Sequence, residues 1–347
     1  MPESSQHPLS AGDLLGADGR LCEAGYATAL IRRYDRAAIR AGRMRIKEWD
    51  YYCIADETIA LALTIADNGY MGLDSASLID LPMGWQQTRS YMRLFPMGKT
   101  GLPASSRTGD VAVKRPGYSI RFENKEGARR LTAHIDNFCD GKPLDADITL
   151  SAPPEDSLVI ATPFAGKPRH FYYNQKINCL CAQGYVTLGG DSHAFEPDRT
   201  GAVLDWGRGV WTYRNTWYWS SASGRLGGIP FGFNLGYGFG DTSAATENML
   251  FYAGKAHKLE HVTFHIPKTP TGKEDWLSPW TFEDRQGRLR LTFTPMLDRA
   301  ALTNLWVLKS DQHQVFGAFD GSVTLDDGTV LEISHLIGFA EKVSNRW

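Results

Sequence analysis

The stretch Asp205–Trp219, DWGRGVWTYRNTWYW, contains four of the ten tryptophans in this chain of 347 residues. From residue 211 onward, large rings recur at alternate positions, at Trp211, Tyr213, Trp217 and Trp219. Successive side chains of an extended strand point to opposite faces, so the alternation predicts a strand with an aromatic wall on one face. The other face would be polar and would carry the cation of Arg214. A wall of this size is costly to leave in water, and we expect a bound molecule there.

Similar strand patterns, separated by turn residues, occupy most of the chain. Asp67-Asn-Gly69 and Asp326-Asp-Gly328 are typical of tight hairpin turns. Strands of about 6–12 residues joined by hairpins predict an all-β fold of two antiparallel β-barrel domains with little helix. The exception is Ala24–Ala41, AGYATALIRRYDRAAIRA, whose composition favours a short helix.

The proline-rich segment Ala152-Pro-Pro-Glu-Asp156 is the best candidate for a domain boundary. It divides the chain into an irregular lead-in with a short helix over 1–43, an N-terminal β domain over 44–151, and a C-terminal β-barrel over 157–347. The tryptophan-rich motif belongs to the last of these.

Composition excludes several functional classes. Lys and Arg number 37 against 39 Asp and Glu, so no basic excess favours nucleic acid as a partner. No run approaches 18 apolar residues, which argues against an integral membrane segment. The N-terminus lacks the pattern of a secretory signal, and the five cysteines are scattered. We therefore expect a cytoplasmic protein with reduced thiols. The sequence does not indicate an oligomeric state.

Asp205, with Arg208 and Arg214, is the first candidate for catalysis. As a general acid its pKa would be set by burial against Trp206 and by the two arginines. The alternative, equally favoured, is a buried salt bridge that fixes the start of the strand. The three tryptophans of the wall would line a cavity or simply fill a barrel, and we favour the cavity.

Glu247 is the rival acid or base, because it follows a strand with unusual alternation. In residues 231–241 large apolar side chains face one way, while four glycines and Asn234 face the other. Glycines on one face indicate the close approach of a ligand or another backbone. The interpretation favoured for Glu247 itself is a surface ion pair with Lys255 or Lys258.

A polar stripe, His170, Tyr172, Asn174, Lys176 and Asn178, alternates with apolar residues in the segment His170–Cys181. Such a stripe is ordinarily the solvent face of an antiparallel sheet, which is the favoured interpretation. Inside a barrel it would be the polar floor of a ligand site. The candidate ligand-binding residues are Arg208, Trp211, Tyr213, Arg214, Trp217, Trp219, Asn234, Asn248, Asn174 and Lys176.

No metal or cofactor is expected. His257, His261 and His265 are spaced by four, but on a strand such residues are about 13 Å apart, too far for one metal. Glycine-rich nucleotide loops and the nucleophile elbow of hydrolases are missing from the sequence.

The motifs Asp205–Trp219, FGFNLGYGFG at Phe231–Gly240, Thr246-Glu-Asn248 and GFAEKVSNRW at Gly338–Trp347 resemble the family called domain of unknown function 2804. The resemblance extends from about Ala11 to the end of the chain. More distantly, the chain is similar to two-domain lipocalin-like proteins, which include AttH-like proteins, carotenoid 1,2-hydratases and fungal cyclases. That similarity implies two calycin-type barrels and a hydrophobic polyene or isoprenoid-like substrate. The catalytic acid of the hydratases is not matched to a residue here.

Three functions remain open. The leading hypothesis is an enzyme that binds a hydrophobic or partly polar small molecule against the tryptophans. Asp205, or alternatively Glu247, would protonate an alkene during hydration, isomerisation or cyclisation. The second is a carrier that binds such a ligand without turnover. The third is an interaction module in which the aromatic residues are all core.

Overall fold

Antiparallel strands dominate the structure, a computed structural model that describes residues 6–125, 127–305 and 308–346. Within those ranges the helical segments are two 3-10 turns, Arg36–Ala38 and Arg43–Arg45. The all-β prediction is confirmed, since the strands form two curled, half-barrel sheets. No helix in this part of the chain is long and apolar enough to cross a membrane. Trp347, the end of the last sequence motif, lies outside the described residues.

The first sheet contains thirteen strands from the first two thirds of the chain. They are β2 (Gly25–Ala27), β4 (Ile46–Ala55), β5 (Ile59–Asp67), β6 (Met71–Asp80), β7 (Trp85–Leu94), β8 (Val111–Arg115), β9 (Tyr118–Lys125), β10 (Ala128–Cys139), β11 (Lys142–Ser151), β12 (Leu158–Phe164), β13 (Lys167–Leu188), β14 (Asp191–Phe195) and β15 (Gly201–Val210). Two further strands, β1 (Gly12–Asp13) and β3 (Arg32–Arg33), pair with each other. The main path runs β7-β6-β5-β4-β15-β13-β11-β10-β9-β8.

The second sheet contains the nine remaining strands in the order β19-β18-β17-β16-β24-β23-β22-β21-β20. They are β16 (Arg214–Leu226), β17 (Ile229–Tyr237), β18 (Met249–Tyr252), β19 (Lys255–Lys258), β20 (Val262–His265), β21 (Trp280–Asp284), β22 (Leu289–Leu305), β23 (Leu308–Thr324) and β24 (Val330–Arg346). Both predicted hairpin turns are confirmed, between β5 and β6 and between β23 and β24.

The tryptophan-rich stretch is where the chain passes from one sheet to the other. The strand predicted from Trp211 onward starts later than expected, because β15 ends at Val210 and β16 begins at Arg214. Asn215 closes the turn between them, donating from Nδ2 to the carbonyl of Thr212 at 2.9 Å. The stretch therefore contributes to both sheets.

The proline-rich segment 152–156 connects two strands of the first sheet, β11 and β12. The sheets themselves divide at residues 211–213. The assignment of 152–156 as a domain boundary therefore stays a prediction.

The predicted helix over Ala24–Ala41 is wrong. The segment contains β2, β3 and one 3-10 turn, and β2 pairs with β12. Its apolar residues lack the spacing of a helix face. Two of its arginines form ion pairs, Arg32 with Glu23 and Arg36 with Glu48. Paired in this way, the segment packs as an extended strap against the first sheet.

Each sheet has an apolar concave core, and a third apolar layer fills the space between them. Alternate residues of β17 enter the core of the second sheet, where Phe231, Phe233 and Leu235 are fully buried. The opposite face of β17 turns toward the first sheet. The layer between the sheets joins Tyr51 of β4 to Trp219 and Phe339 of the second sheet. Strands at this interface are buried on both faces.

Candidate functional site

Polar and aromatic side chains from both sheets meet in the layer between them, which we call the interface site. The first sheet contributes β4, β12, β13 and β15; the second contributes β16, β23, β24 and the loop 238–248 after β17. The polar stripe of β13 faces this layer: Tyr172, Asn174, Lys176 and Asn178 are all buried. The interpretation of that stripe as a solvent face is wrong, because the second sheet covers it.

Asp205 forms a buried ion pair with Lys176, its direct cross-strand neighbour, with 2.9 Å between Nζ and Oδ1. Asn174 donates from Nδ2 to Oδ1 at 2.6 Å, and Trp49 donates from Nε1 to Oδ2 at 3.1 Å. Both carboxylate oxygens are therefore engaged. The prediction that Arg208 and Arg214 would be the partners of Asp205 is wrong.

Arg208 points the other way, into the first sheet. Its Nη1 lies 3.0 Å from a carboxylate oxygen of Asp50, and it donates to the carbonyls of Trp49 and Pro103 at 2.7 Å each. Arg214 is exposed at the start of β16. The structure brings neither guanidinium to the interface site.

Glu247 is buried, with 6% of its surface exposed. Burial raises the pKa of its carboxyl to about 7, the charges of Asp205 and Glu341 add to the rise, and Lys176 and Lys258 oppose it. None of the described hydrogen bonds or ion pairs involves this carboxyl. It lies over Gly236, where a Cβ atom would come within 2.9 Å of Cδ. The glycine face predicts a ligand or another backbone close by; at Gly236 the neighbour is the side chain of Glu247, and at Gly232 it is the backbone carbonyl of Ala222.

The predicted surface pairing of Glu247 is wrong, because both candidate lysines are engaged elsewhere. Lys255 pairs with Glu155. Lys258 donates from Nζ to Oγ1 of Thr246 and to two carbonyls, those of Asn248 and Leu259, at 2.8–2.9 Å. Burial lowers the pKa of Lys258 to about 7. The three contacts tie Lys258 to Thr246, Asn248 and Leu259.

Glu341 of β24 is a third buried carboxyl, which sequence reasoning missed. Trp217 donates from Nε1 to its Oε1 at 2.8 Å, and Gln314 donates from Nε2 to its Oε2 at 3.1 Å. Burial raises the pKa of Glu341 to about 7, although the bond from Trp217 opposes the rise. A signal was present, because Glu341 alternates with the apolar residues Phe339 and Val343, which predicts a carboxyl on a buried face.

Phe239 lies inside a cage of rings, which we call the aromatic cage: Phe164, Tyr172, Trp211 and Trp217. Its ring centroid lies 4.7–5.5 Å from those of the four cage rings, with interplanar angles of 67–84°. Trp49 extends the cage by stacking on Tyr172 at 6.1 Å. Edge-to-face contacts of this kind are favourable aromatic geometry. Trp211 and Trp217 thus share one wall, as predicted.

The other members of the predicted wall lie apart from the cage. Trp219 packs against Tyr51 and Phe339, and the ammonium of Lys176 lies 3.8 Å from the centroid of its ring. Tyr213 is exposed in the turn between the sheets, beside Arg45. Trp219 therefore belongs to the interface site and Tyr213 does not.

Asn234 and Asn248 position the backbone beside Glu247. Asn234 accepts from Nε1 of Trp219 at 2.7 Å and donates to the carbonyl of Glu247 at 2.7 Å. Asn248 accepts from the backbone of Gly236 at 2.7 Å and donates to the carbonyl of Glu260 at 2.6 Å. Their amides are engaged within the protein, so their role is structural here.

Glu247, Glu341 and Phe239 are buried at the interface. Cavities of about 20 Å³ and about 10 Å³ lie near its other end, the larger between Cys53, Ser221 and Phe339. The larger volume suits a single water, whereas ligand pockets measure roughly 300–1,000 Å³. Neither cavity is lined by Glu247, Glu341 or a ring of the aromatic cage. Among the described residues, no group of three or more His, Cys, Asp or Glu side chains is placed to hold a metal ion.

The sequence profile of the family described as domain of unknown function (DUF2804) matches residues 6–347. The chain belongs to this family. The family resemblance is thereby confirmed, and the motifs that carry it supply Glu247, Glu341, Trp211, Trp217 and Trp219 of the interface site. No curated protein matches this DUF2804 chain.

Two solved structures show the same fold as the DUF2804 chain. A protein provisionally named AttH, from Nitrosomonas europaea, is 15% identical with a TM-score of 0.51, over 87% of this chain and 92% of its own. Kievitone hydratase from Nectria haematococca is 11% identical with a TM-score of 0.50, over 99% of this chain and 98% of its own. The lipocalin-like, two-domain architecture is therefore confirmed.

Proposed function

We propose that the interface site catalyses proton transfer to an unsaturated hydrophobic small molecule, with Glu247 and Glu341 as the acids. One observation carries the proposal: two buried glutamic acids with pKa values near 7 lie beside a cage of aromatic rings. A general acid works best when its pKa is close to the ambient pH. Strongly perturbed carboxyls of this kind concentrate at functional sites.

Asp205 serves this chemistry as a fixed charge. It is held in an ion pair with Lys176 and by hydrogen bonds from Asn174 and Trp49. Its negative charge raises the pKa of both glutamic acids. The leading assignment of the acid therefore moves from Asp205 to Glu247 and Glu341.

The rings suit a reaction that develops positive charge on carbon. Protonation of an alkene places a cation on the neighbouring carbon, and the faces of Trp and Tyr attract cations. Trp211, Trp217 and Tyr172 lie together on the side of the site that holds Phe239. Addition of water, loss of a proton or attack by a second double bond would then give hydration, isomerisation or cyclisation. The fold shared with kievitone hydratase fits the first of these outcomes.

Solvent deuterium tests the proposal. The protein is incubated in D₂O with a panel of hydrophobic enones, prenylated phenols and polyenes, and the products are analysed by mass spectrometry. We expect at least one compound to gain deuterium with the wild type and to lose that gain in E247Q or E341Q. D198N, at a carboxylate whose side chain is 91% exposed, is the matched control and should behave as the wild type. Incorporation that persists in E247Q/E341Q would contradict the proposal.

The small cavities favour a second candidate function, in which the aromatic residues of the interface are all core. In that case the rings join the two sheets and the protein acts as an interaction module. Native mass spectrometry of protein purified from its own host separates the two. A co-purified hydrophobic molecule supports a ligand site, whereas an empty protein that also takes up no panel compound supports the module.

A further inference from the structure

Phe239 fills the centre of the aromatic cage, the part of the interface site where four rings could contact a bound ligand. Its ring is 5% exposed and makes edge-to-face contacts with all four rings of the aromatic cage. The cage draws on both sheets, since Tyr172 belongs to β13 and Trp217 to β16. Phe239 itself belongs to no strand. It is carried by the loop 238–248, which we call the Phe239 loop.

The first part of the Phe239 loop, residues 238–245, is held by few backbone bonds, whereas residues 246–248 are anchored by Asn234, Gly236 and Lys258. The backbone of the first part is tied by Asp241, which donates to the carbonyl of Pro163 at 2.8 Å, and by Ala244, which accepts from the backbone of His7 at 2.7 Å. Thr246 donates to the side chain of Gln6 at 3.0 Å. Segments tied by so few backbone bonds open at a lower free energy than strands in a ladder.

Two glycines flank the ring. Gly238 and Gly240 have φ angles of +92° and +72°, in the left-handed region that glycine tolerates without strain. The chain can therefore swing at both sides of Phe239 without carrying a side chain through a restricted conformation.

Trp211, one ring of the cage, carries a hydrogen-bond donor that is not used within the described residues. Its indole Nε1 is buried, and among the described residues it has no hydrogen-bond partner. A buried donor without a partner costs roughly 1–3 kcal/mol relative to a satisfied one. A ligand that brought an oxygen acceptor to this nitrogen would recover that free energy.

We propose that Phe239 is a displaceable plug that stands in for the substrate: residues 238–245 of its loop swing out, and a flat aromatic group bearing an oxygen takes its place in the aromatic cage. This inference rests on the proposed function and names its substrate class, a phenol or aryl ketone that carries the double bond. Glu247 lies in the anchored part of the loop, so that acid stays in the site while residues 238–245 move. The same movement would open the centre of the aromatic cage, which Phe239 fills in the structure, to a molecule from solvent.

A reversible disulfide tests the movement. A Cβ atom at Gly240 would lie 3.6 Å from Cβ of Thr162 on β12, within the usual range for a disulfide. The double variant T162C/G240C therefore locks the loop when oxidised and releases it when reduced, and both states carry the same side chain at the positive φ of residue 240. The probe is 2-naphthol, followed by ligand-observed NMR. We expect the reduced protein to bind the probe and the oxidised protein to bind at least tenfold more weakly; equal affinity in the two states would overturn the plug.

A second pair of variants covers the case in which the lock does not fold. F239A removes the plug, and F319A removes a phenyl ring from the closed second core. We expect F239A to bind 2-naphthol about tenfold more tightly than the wild type, because no ring must first be displaced. F319A should show no gain. An equal gain in both variants would show only that any new cavity binds the probe, and would overturn the plug.

Hydrogen exchange of the wild type provides a reading that needs no ligand and no reaction. Amides of residues 238–245 should exchange at least a hundredfold faster than those of β17 beside them, and equal protection would overturn the plug. These measurements also separate the two proposals. A working plug without deuterium incorporation would leave a binding site and remove the reaction, while incorporation with an immobile loop would do the opposite.

Discussion

Trp217 donates its indole N–H to Glu341 across the β16–β24 pair, with 2.8 Å between Nε1 and Oε1. The same ring contacts Phe239 in the aromatic cage. One tryptophan therefore connects the acid of the second sheet to the rings of the proposed substrate site. Any substitution at Trp217 should alter both the protonation of Glu341 and the packing of the cage.

The first prediction concerns the protonation of Glu341. The bond from Trp217 favours the ionised carboxylate, so W217F should raise the pKa of Glu341 further, by on the order of one pH unit. Carboxyl-carbon NMR across a pH titration measures the change. W280F, which alters a buried tryptophan of the second core, is the control and should leave the titration unchanged. A midpoint that falls or stays constant in W217F would refute the assigned bond.

The second prediction is a pH dependence of stability. The folded protein binds protons at Glu247 and Glu341 more tightly than the unfolded chain, because their pKa values rise from the ordinary 4.5 to about 7. The stabilisation is therefore complete below pH 4.5 and is lost as the pH rises through about 7.

Urea unfolding at pH 5 to 8 measures this loss. We expect these two groups to lower the free energy of unfolding over that interval by on the order of 1–3 kcal/mol each. The stability of E247Q/E341Q relative to the wild type should rise from pH 5 to 8, and the double variant should exceed the wild type at pH 8. The control D198N should follow the wild type. Parallel curves for wild type and double variant would contradict the raised pKa values.

The sequence predicts the faces of single strands well. Tyr172, Asn174 and Lys176 do share a face, and Phe231 and Phe233 share another, because the two-residue period of a strand is a local property. The helix over Ala24–Ala41 failed for a related reason, since composition without periodicity is weak evidence.

Which face is buried, and against what, could not be predicted in the same way. The β13 stripe was assigned to solvent because its other face is apolar, yet both faces are covered once the two sheets pack. The partner of Asp205 depends on the register of β13 against β15, which places Lys176 directly opposite. Register and sheet packing are long-range properties, so the Lys176–Asp205 pair and the role of Glu341 became visible only in the fold.

The third prediction tests the ion pair. K176M leaves Asp205 buried without its cation and should cost about 3–5 kcal/mol of stability. K176M/D205N removes both charges and should recover part of that loss. A double-mutant cycle by urea unfolding, with D205N as the fourth corner, measures the coupling. If the losses in K176M and D205N simply add in the double variant, the two residues are not energetically coupled.

The fourth prediction uses a glycine that makes room for the site. Gly207 lies on β15 beneath the indole of Trp49, and a Cβ atom there would come within 1.9 Å of the ring. In G207A the ring must move, which breaks its bond to Asp205 and its stacking on Tyr172. We expect a loss of about 1–3 kcal/mol in urea unfolding and a changed near-UV circular dichroism spectrum. G190A, where a Cβ atom meets nothing within 4 Å, should leave both unchanged. Equal stability of the two variants would mean that the position of the Trp49 ring contributes nothing to holding Asp205.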